Sequence, residues 1–232
     1  MDKPALIAQS YQFQPTDEQL SFCRKMAKFV SGPIDQHCFV LRGYAGTGKT
    51  TSVGALVKVL KQFGLWSTLL APTGRAAKVM AGYTNRKALT LHKKIYRKKS
   101  AISNEMSFQI APNLAENTLF IVDEASMISD EWNTKTGSSF LNDLMEFVYN
   151  GNNCAVMFVG DTAQLPPVGS IDSPALNATY IADSYGLKVS EVELKEVVRQ
   201  EKKSGILANA TMLRKIINTT VEDEKPVLPK FL

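Results

Sequence analysis

The sequence predicts an α/β fold in which helices flank a parallel sheet, and three observations carry that expectation. The runs Cys38-Phe39-Val40-Leu41, Thr118-Leu119-Phe120-Ile121-Val122 and Ala155-Val156-Met157-Phe158-Val159 are short and largely apolar. Strands covered on both faces read this way, whereas half-solvated antiparallel strands alternate. Segments with helical spacing lie between these runs, as βαβ crossovers require. Finally, Gly43-Tyr44-Ala45-Gly46-Thr47-Gly48-Lys49-Thr50 fits G-x-x-x-x-G-K-[ST] directly after the first run and before a helical pattern.

Composition narrows the class. With 232 residues and 44% hydrophobic content the chain is long enough for a substantial core. No run approaches 18 apolar residues, and Met1-Asp2-Lys3-Pro4 lacks the basic-then-apolar layout of a signal peptide. The expectation is a globular cytoplasmic protein without a membrane partner. Cys23, Cys38 and Cys154 are odd in number and widely spaced, so they predict buried thiols rather than disulfides or a zinc site. The net charge of +5 is local: Arg86, Lys87, Lys93, Lys94, Arg97, Lys98 and Lys99 lie together with no acid among them. Without those seven, 20 basic residues face 22 acidic ones. Such a cluster is either an anion-binding footprint or a solvated face.

Taken in order, residues 1–14 carry little pattern and predict a loose lead-in. Residues 15–205 are expected to form the sheet-bearing domain, and 206–232 the start of a second domain or a linker. Thr16 can cap a helix whose apolar face is Leu20, Cys23, Met26, Ala27 and Val30, ending at Gly32-Pro33. Capping chemistry alone would account for Gln19. Strand 38–42 precedes the glycine loop. Gly43, Gly46 and Gly48 permit a tight turn that directs backbone N–H groups and a helix N-terminus at one anion. Lys49 would reach the β- and γ-phosphates, and Thr50 would ligate Mg²⁺.

A helix over 50–62 follows, with Val53, Leu56, Val57 and Leu60 on one face and Gly64 as its stop. Leu65 to Ala71 predicts the next strand, and Pro72-Thr73-Gly74 hands over to a helix. Beyond Thr90-Leu91-His92, residues 93–117 are irregular around Met106-Ser107-Phe108-Gln109-Ile110, an insertion able to form a small hairpin. Strand 118–122 ends in Asp123-Glu124. Ligands of open α/β sheets bind outside the carboxyl ends of strands, so Asp123 is expected beside the phosphate loop in the metal shell, with Glu124 polarising a water. The competing reading is a helix cap with a first-turn acid. A helix over 138–149 and strand 155–159 come next. Pro166-Pro167 then stiffens an extended loop that presents Gln164 near Asp123. A strand over 187–194 and a helix over 204–218 complete the series.

Several stretches in this order resemble the motifs of superfamily 1 DNA helicases of the RecD-like and Dda-like type, over most of residues 15–215. Thr16-Asp17-Glu18-Gln19 resembles the Q motif, Gly43 to Thr51 motif I, Leu70 to Ala77 motif Ia and Thr90-Leu91-His92 the T-I-H element. Val122 to Met127 resembles motif II, Gly160 to Val168 motif III, and Leu194 to Gln200 the element carrying the motif IV arginine. The resemblance implies a RecA-like P-loop NTPase using ATP and Mg²⁺. Gln19 would read the adenine; Gly43, Gly46, Thr47, Gly48, Lys49, Thr50 and Thr51 would hold the nucleotide; Thr50 and Asp123 would hold the metal. Glu124 would activate water, Gln164 sense the γ-phosphate and Arg199 act as an arginine finger.

Pro72, Thr73 and His92 fall where such helicases touch single-stranded DNA; for His92 a structural role is the alternative. Lys93, Lys94 and Phe108 lie where the family carries a pin at the duplex fork, and a disordered loop is the competing reading there. Nothing after residue 218 resembles motifs V and VI. The expectation is an N-terminal piece of a larger helicase, missing its second RecA-like domain, with a nuclease or a replication or repair factor as partner, as in an exodeoxyribonuclease acting in DNA repair and recombination. Two other readings stay open: a P-loop kinase acting on a small molecule, and a nucleotide-gated nucleic-acid binding module without turnover.

Overall fold

A computed structural model describes residues 2–98, 108–133, 137–164, 167 and 173–197. Its centre is a six-stranded sheet built from β1 (His37–Gly43), β2 (Trp66–Ala71), β3 (Ala88–Thr90), β6 (Glu116–Val122), β9 (Asn152–Gly160) and β10 (Lys188–Leu194). The strand order is β10-β1-β9-β6-β2-β3 and every pairing is parallel. The apolar runs are strands because both of their faces are covered. Phe39 and Leu41 of β1, Leu119 and Ile121 of β6, and Met157 and Val159 of β9 enter one core cluster. Their alternates Cys38, Val40, Phe120, Val122, Val156 and Phe158 enter the other. A period of two between two buried faces leaves no polar position, which is the pattern in the sequence.

The first face is covered by α1 (Lys3–Gln9), α2 (Asp17–Phe29), α3 (Lys49–Val59) and α4 (Gly74–Thr84). The second is covered by α5 (Leu91–Ile95), α6 (Phe140–Tyr149) and α7 (Ala178–Tyr185). Helix starts follow local chemistry: Thr16, Thr73, Thr90, Ser139 and Asn177 each accept a backbone N–H from their first turn. After α3 a single 3-10 turn ends at Gly64, whose φ of 77° is the left-handed stop that glycine supplies.

The expectation of a loose lead-in is corrected. Residues 3–9 form α1, capped by the Asp2 side chain, and its Ile7 is fully buried. Lys3 Nζ donates to the Val30 carbonyl at 2.6 Å, and the Tyr11 hydroxyl donates to Ser52 Oγ at 2.8 Å. One apolar anchor in a short helix is too little periodicity to be seen in a sequence, yet it suffices once a groove exists to receive it. The inserted segment begins with α5 and continues as a two-stranded antiparallel hairpin of β4 (Tyr96–Lys98) and β5 (Phe108–Ile110). Its tip, including Lys99, lies outside the described residues. A second small antiparallel pair, β7 (Trp132–Asn133) with β8 (Ser138–Ser139), precedes α6 and had no sequence signal. Arg199, the helix over 204–218 and the segment 206–232 also lie outside the described residues. Among the described residues no helix is long and apolar enough to cross a membrane.

Candidate functional site

The glycine loop leaves β1 at the carboxyl edge of the sheet and enters α3. Gly46 and Gly48 take φ of 85° and 89°, conformations that cost other residues about 1 kcal/mol or more. Gly43 is required for a different reason. A Cβ there would lie 2.6 Å from the Leu194 carbonyl oxygen and 2.7 Å from Thr47 Oγ1, so the loop and β10 meet backbone to backbone. The buried Thr47 hydroxyl donates to the Tyr44 carbonyl at 2.8 Å. Lys49 Nζ reaches back across the loop to the carbonyls of Gly43 at 2.5 Å and Tyr44 at 3.0 Å. Thr50 and Thr51, in the first turn of α3, are exposed. A left-handed glycine turn feeding an eleven-residue helix, with a lysine folded over it, fits a nucleotide phosphate.

The acids expected beside this loop come from β6, which is not its neighbour, because β9 lies between β1 and β6. β9 contributes its own acid. Asp161 is buried, and its Oδ1 accepts the Ala163 N–H at 2.9 Å. Asp123 is fixed at three points: its N–H donates to the Leu70 carbonyl of β2 at 3.0 Å, Oδ1 accepts the Glu124 N–H at 3.0 Å, and Oδ2 accepts the Tyr83 hydroxyl at 2.8 Å. Glu124 sits at φ 53°, a left-handed conformation unfavourable for a residue with a side chain, which turns the chain sharply off the strand end. Burial pushes its carboxyl above the usual range and the Asp123 carboxylate pushes it further, while Lys49 and a hydrogen bond from Gln164 oppose them. Lys49, Asp123, Glu124, Asp161 and Gln164 therefore share one electrostatic neighbourhood. Gln164 also accepts the Ser126 hydroxyl at 3.2 Å and donates its backbone N–H to Asp161.

Mg²⁺ takes hard oxygen donors and often only one or two from protein, the rest coming from phosphate and water. The Thr50 hydroxyl and the Asp123 carboxylate are of that kind. Among the described residues no group of three or more His, Cys, Asp or Glu forms a cage, and such an ion does not need one.

The remaining expected residues are spread more widely. Gln19 is 3% exposed and closes a capping box, its Oε1 accepting the Thr16 N–H at 3.1 Å and its own N–H donating to Thr16 Oγ1 at 3.3 Å. Its neighbour Glu18 accepts the N–H groups of Lys195 at 2.6 Å and Glu196 at 2.9 Å, tying α2 to the segment after β10. Thr73 is exposed and caps α4, with Pro72 half-buried before it. His92 is exposed on one side and stacked on Phe140 on the other, with centroids 4.5 Å apart. Lys93 is exposed, whereas the Lys94 ammonium lies 6.0 and 5.7 Å from the ring centroids of Phe120 and Phe147. Phe108 is 53% exposed and pairs with Lys98 across the hairpin. Sequence reasoning missed Tyr83, which had no signal, and Asp161, whose signal was its place at a strand end.

This fold and site define a RecA-like P-loop NTPase. The AAA domain family matches residues 16–220. RecD2, an ATP-dependent DNA helicase of Deinococcus radiodurans, is 33% identical over 172 residues, which is 74% of this chain and 21% of that protein. The ATP-dependent DNA helicase dda of Enterobacteria phage T4 is 28% identical over 168 residues, 71% of this chain and 35% of that protein. Among solved structures, the Candida albicans Pif1 helicase superposes with a TM-score of 0.55 at 18% identity, covering 91% of this chain and 46% of that one. Bacteroides sp Pif1 in complex with ADP-AlF4 gives 0.50 at 20% identity, covering 90% and 47%. The chain belongs to the AAA domain family, and its sequence is similar to ATP-dependent DNA helicases of the RecD2 and dda type. It spans about a fifth to a third of the length of these two curated relatives.

Proposed function

We propose that the chain is the first RecA-like motor domain of an ATP-dependent DNA helicase, binding ATP with Mg²⁺ and single-stranded DNA. The observation that carries this reading is the convergence of Lys49, Asp123, Glu124 and Gln164 at the carboxyl edge of the sheet, where Glu124 feels all three of the others. Lys49 and the loop would hold the phosphates, Thr50 and Asp123 would hold the metal, and Glu124 would act as the base toward water. Gln164, hydrogen-bonded to Glu124, would sense the γ-phosphate, and Gln19 enters this proposal on the resemblance of its segment alone, since its Oε1 is held in the capping box. Arg199 enters this proposal on the resemblance of its segment alone. DNA runs along Pro72, Thr73 and His92 toward the hairpin. A second RecA-like domain completes the ATP cleft, and a nuclease or repair partner belongs to the same proposal.

A fluorescent ATP analogue and a phosphate-release assay test it, with and without single-stranded DNA. Lys49→Ala abolishes binding or turnover. Glu124→Gln retains binding and lowers DNA-stimulated release by about 10²- to 10⁴-fold, the usual contribution of a positioned base. Transfer of phosphate to a small-molecule acceptor, without DNA stimulation, would favour a kinase instead. Binding of ATP and DNA with no turnover, even when a second domain is supplied, would leave a nucleotide-gated binding module.

A further inference from the structure

Asp123 stands at the end of β6 with two rotatable side-chain bonds, and its usefulness to a metal depends on where its carboxylate plane points. The hydrogen bond from Glu124 N–H to Oδ1 fixes one oxygen at 3.0 Å. The second oxygen is held by a side chain 40 residues away in sequence, the hydroxyl of Tyr83 at 2.8 Å. Bonds to both oxygens define the plane of the carboxylate, which one bond alone does not.

Tyr83 is well placed to be a fixed support. It lies in the last turn of α4, and its ring packs against the core cluster under the first face of the sheet. Its backbone carbonyl lies 3.7 Å from where a Cβ on Gly54 would be, so α4 packs beside the helix that begins at the phosphate loop. A tyrosine hydroxyl is a neutral O–H donor at pH 7. A neutral donor orients the carboxylate without cancelling its charge. An ionised carboxylate has about four lone-pair sites, so two hydrogen bonds leave room for a cation.

We propose that Tyr83 is a positioning residue that orients the Asp123 carboxylate toward the divalent metal of the nucleotide site. This rests on the nucleotide-binding reading above. Asp123 would be the residue that holds the metal, and Tyr83 would act only through that carboxylate. Removing such an outer partner of a metal ligand commonly costs 10- to 100-fold in metal affinity.

Tyr83→Phe tests it, because the ring and its packing stay while one oxygen is lost. The readout is the Mg²⁺ concentration that half-saturates binding of a fluorescent ATP analogue, alongside the affinity for the same analogue in EDTA. The expected result is about a tenfold rise in half-saturating Mg²⁺, with metal-free affinity unchanged within twofold because the phosphate loop is untouched. In an Asp123→Asn background the same substitution produces no further shift, since nothing remains to orient. An unchanged Mg²⁺ requirement in Tyr83→Phe overturns the proposal. So does an equal shift with and without Asp123, or an equal loss in EDTA, which would mark a packing role. Should the single variant unfold, Tyr83→Trp, which keeps an aromatic body but moves its donor, must also raise the Mg²⁺ requirement or the proposal fails. A wild-type chain that binds no nucleotide overturns the nucleotide-binding reading itself, whereas wild-type binding with an unshifted Tyr83→Phe overturns only the role of Tyr83.

Discussion

Glu124 is held above the ordinary carboxylate range first by burial and then by the Asp123 carboxylate. A general base must be ionised, so on the proposed reading the acid limb of DNA-stimulated hydrolysis is expected at higher pH than an ordinary glutamate would give. The residual activity of Glu124→Gln lacks that limb, and rate against pH for both proteins checks it. Stability has its own sign. A raised pKa in the folded state means that the fold favours the neutral form, an advantage present in acid and lost as pH rises through the folded value. Glu124→Gln, which is neutral throughout, is therefore more stable than wild type at pH 7, with the difference vanishing in acid. Urea melts at the two pH values measure it. At Gly43 the constraint is steric. A Cβ would sit 2.6 Å from the Leu194 carbonyl, a backbone atom that cannot rotate away. Gly43→Ala is expected to cost about 1–3 kcal/mol in a denaturant melt and to weaken nucleotide binding as well. The sequence marked Gly43 as a loop glycine. That its closest neighbour is β10, some 150 residues later, required the fold.

Among the elements, the hairpin was foreseen as an insertion with a basic root, and its parts prove unequal. Lys93 and Lys98 are exposed, but the Lys94 ammonium lies near the rings of Phe120 and Phe147. Charge sequence alone cannot separate a phosphate-binding lysine from one that covers an aromatic edge with its stem. Lys93→Gln with Lys98→Gln should lower the salt slope of single-strand binding by about 1.4, counting roughly 0.7 per phosphate contact. Lys94→Gln should leave the slope unchanged and lower thermal stability instead. A filter-binding series over salt concentration separates the two. Phe108 shares an exposed hairpin position with Lys98. On the helicase reading proposed above, with a second motor domain supplied, Phe108→Ala should impair unwinding more than DNA-stimulated ATP hydrolysis, and equal loss of both would rule out a pin. The hairpin's other end is anchored by the Tyr96 hydroxyl, which donates to the buried Asp143 of α6 at 2.5 Å.

At the scale of the whole molecule, the strand order β10-β1-β9-β6-β2-β3 decides which side chains meet. It sets the two motif-bearing strands β1 and β6 on either side of β9, so Asp161 joins the acids between them. It also places β10 beside β1, where Glu18 of α2 reaches the N–H groups of Lys195 and Glu196. A carboxylate accepting two backbone donors is a strong tie. Glu18→Ala should cost about 0.5–1.5 kcal/mol in a denaturant melt, since these bonds are solvent-exposed, and make the chain easier to cleave by protease just after residue 194. Protease resistance equal to wild type would show that other contacts hold this segment. By itself the sequence determined the parallel sheet, the Thr16 cap and the glycine loop. Each depends on neighbours in the chain or on the uniform burial of a strand, and both leave a local pattern. Only the tertiary structure decided that α1 is anchored through Ile7, that Lys94 turns to the core, and that Tyr83 meets Asp123. Those contacts join residues tens of positions apart, and such pairs become neighbours only after the strands have taken their order.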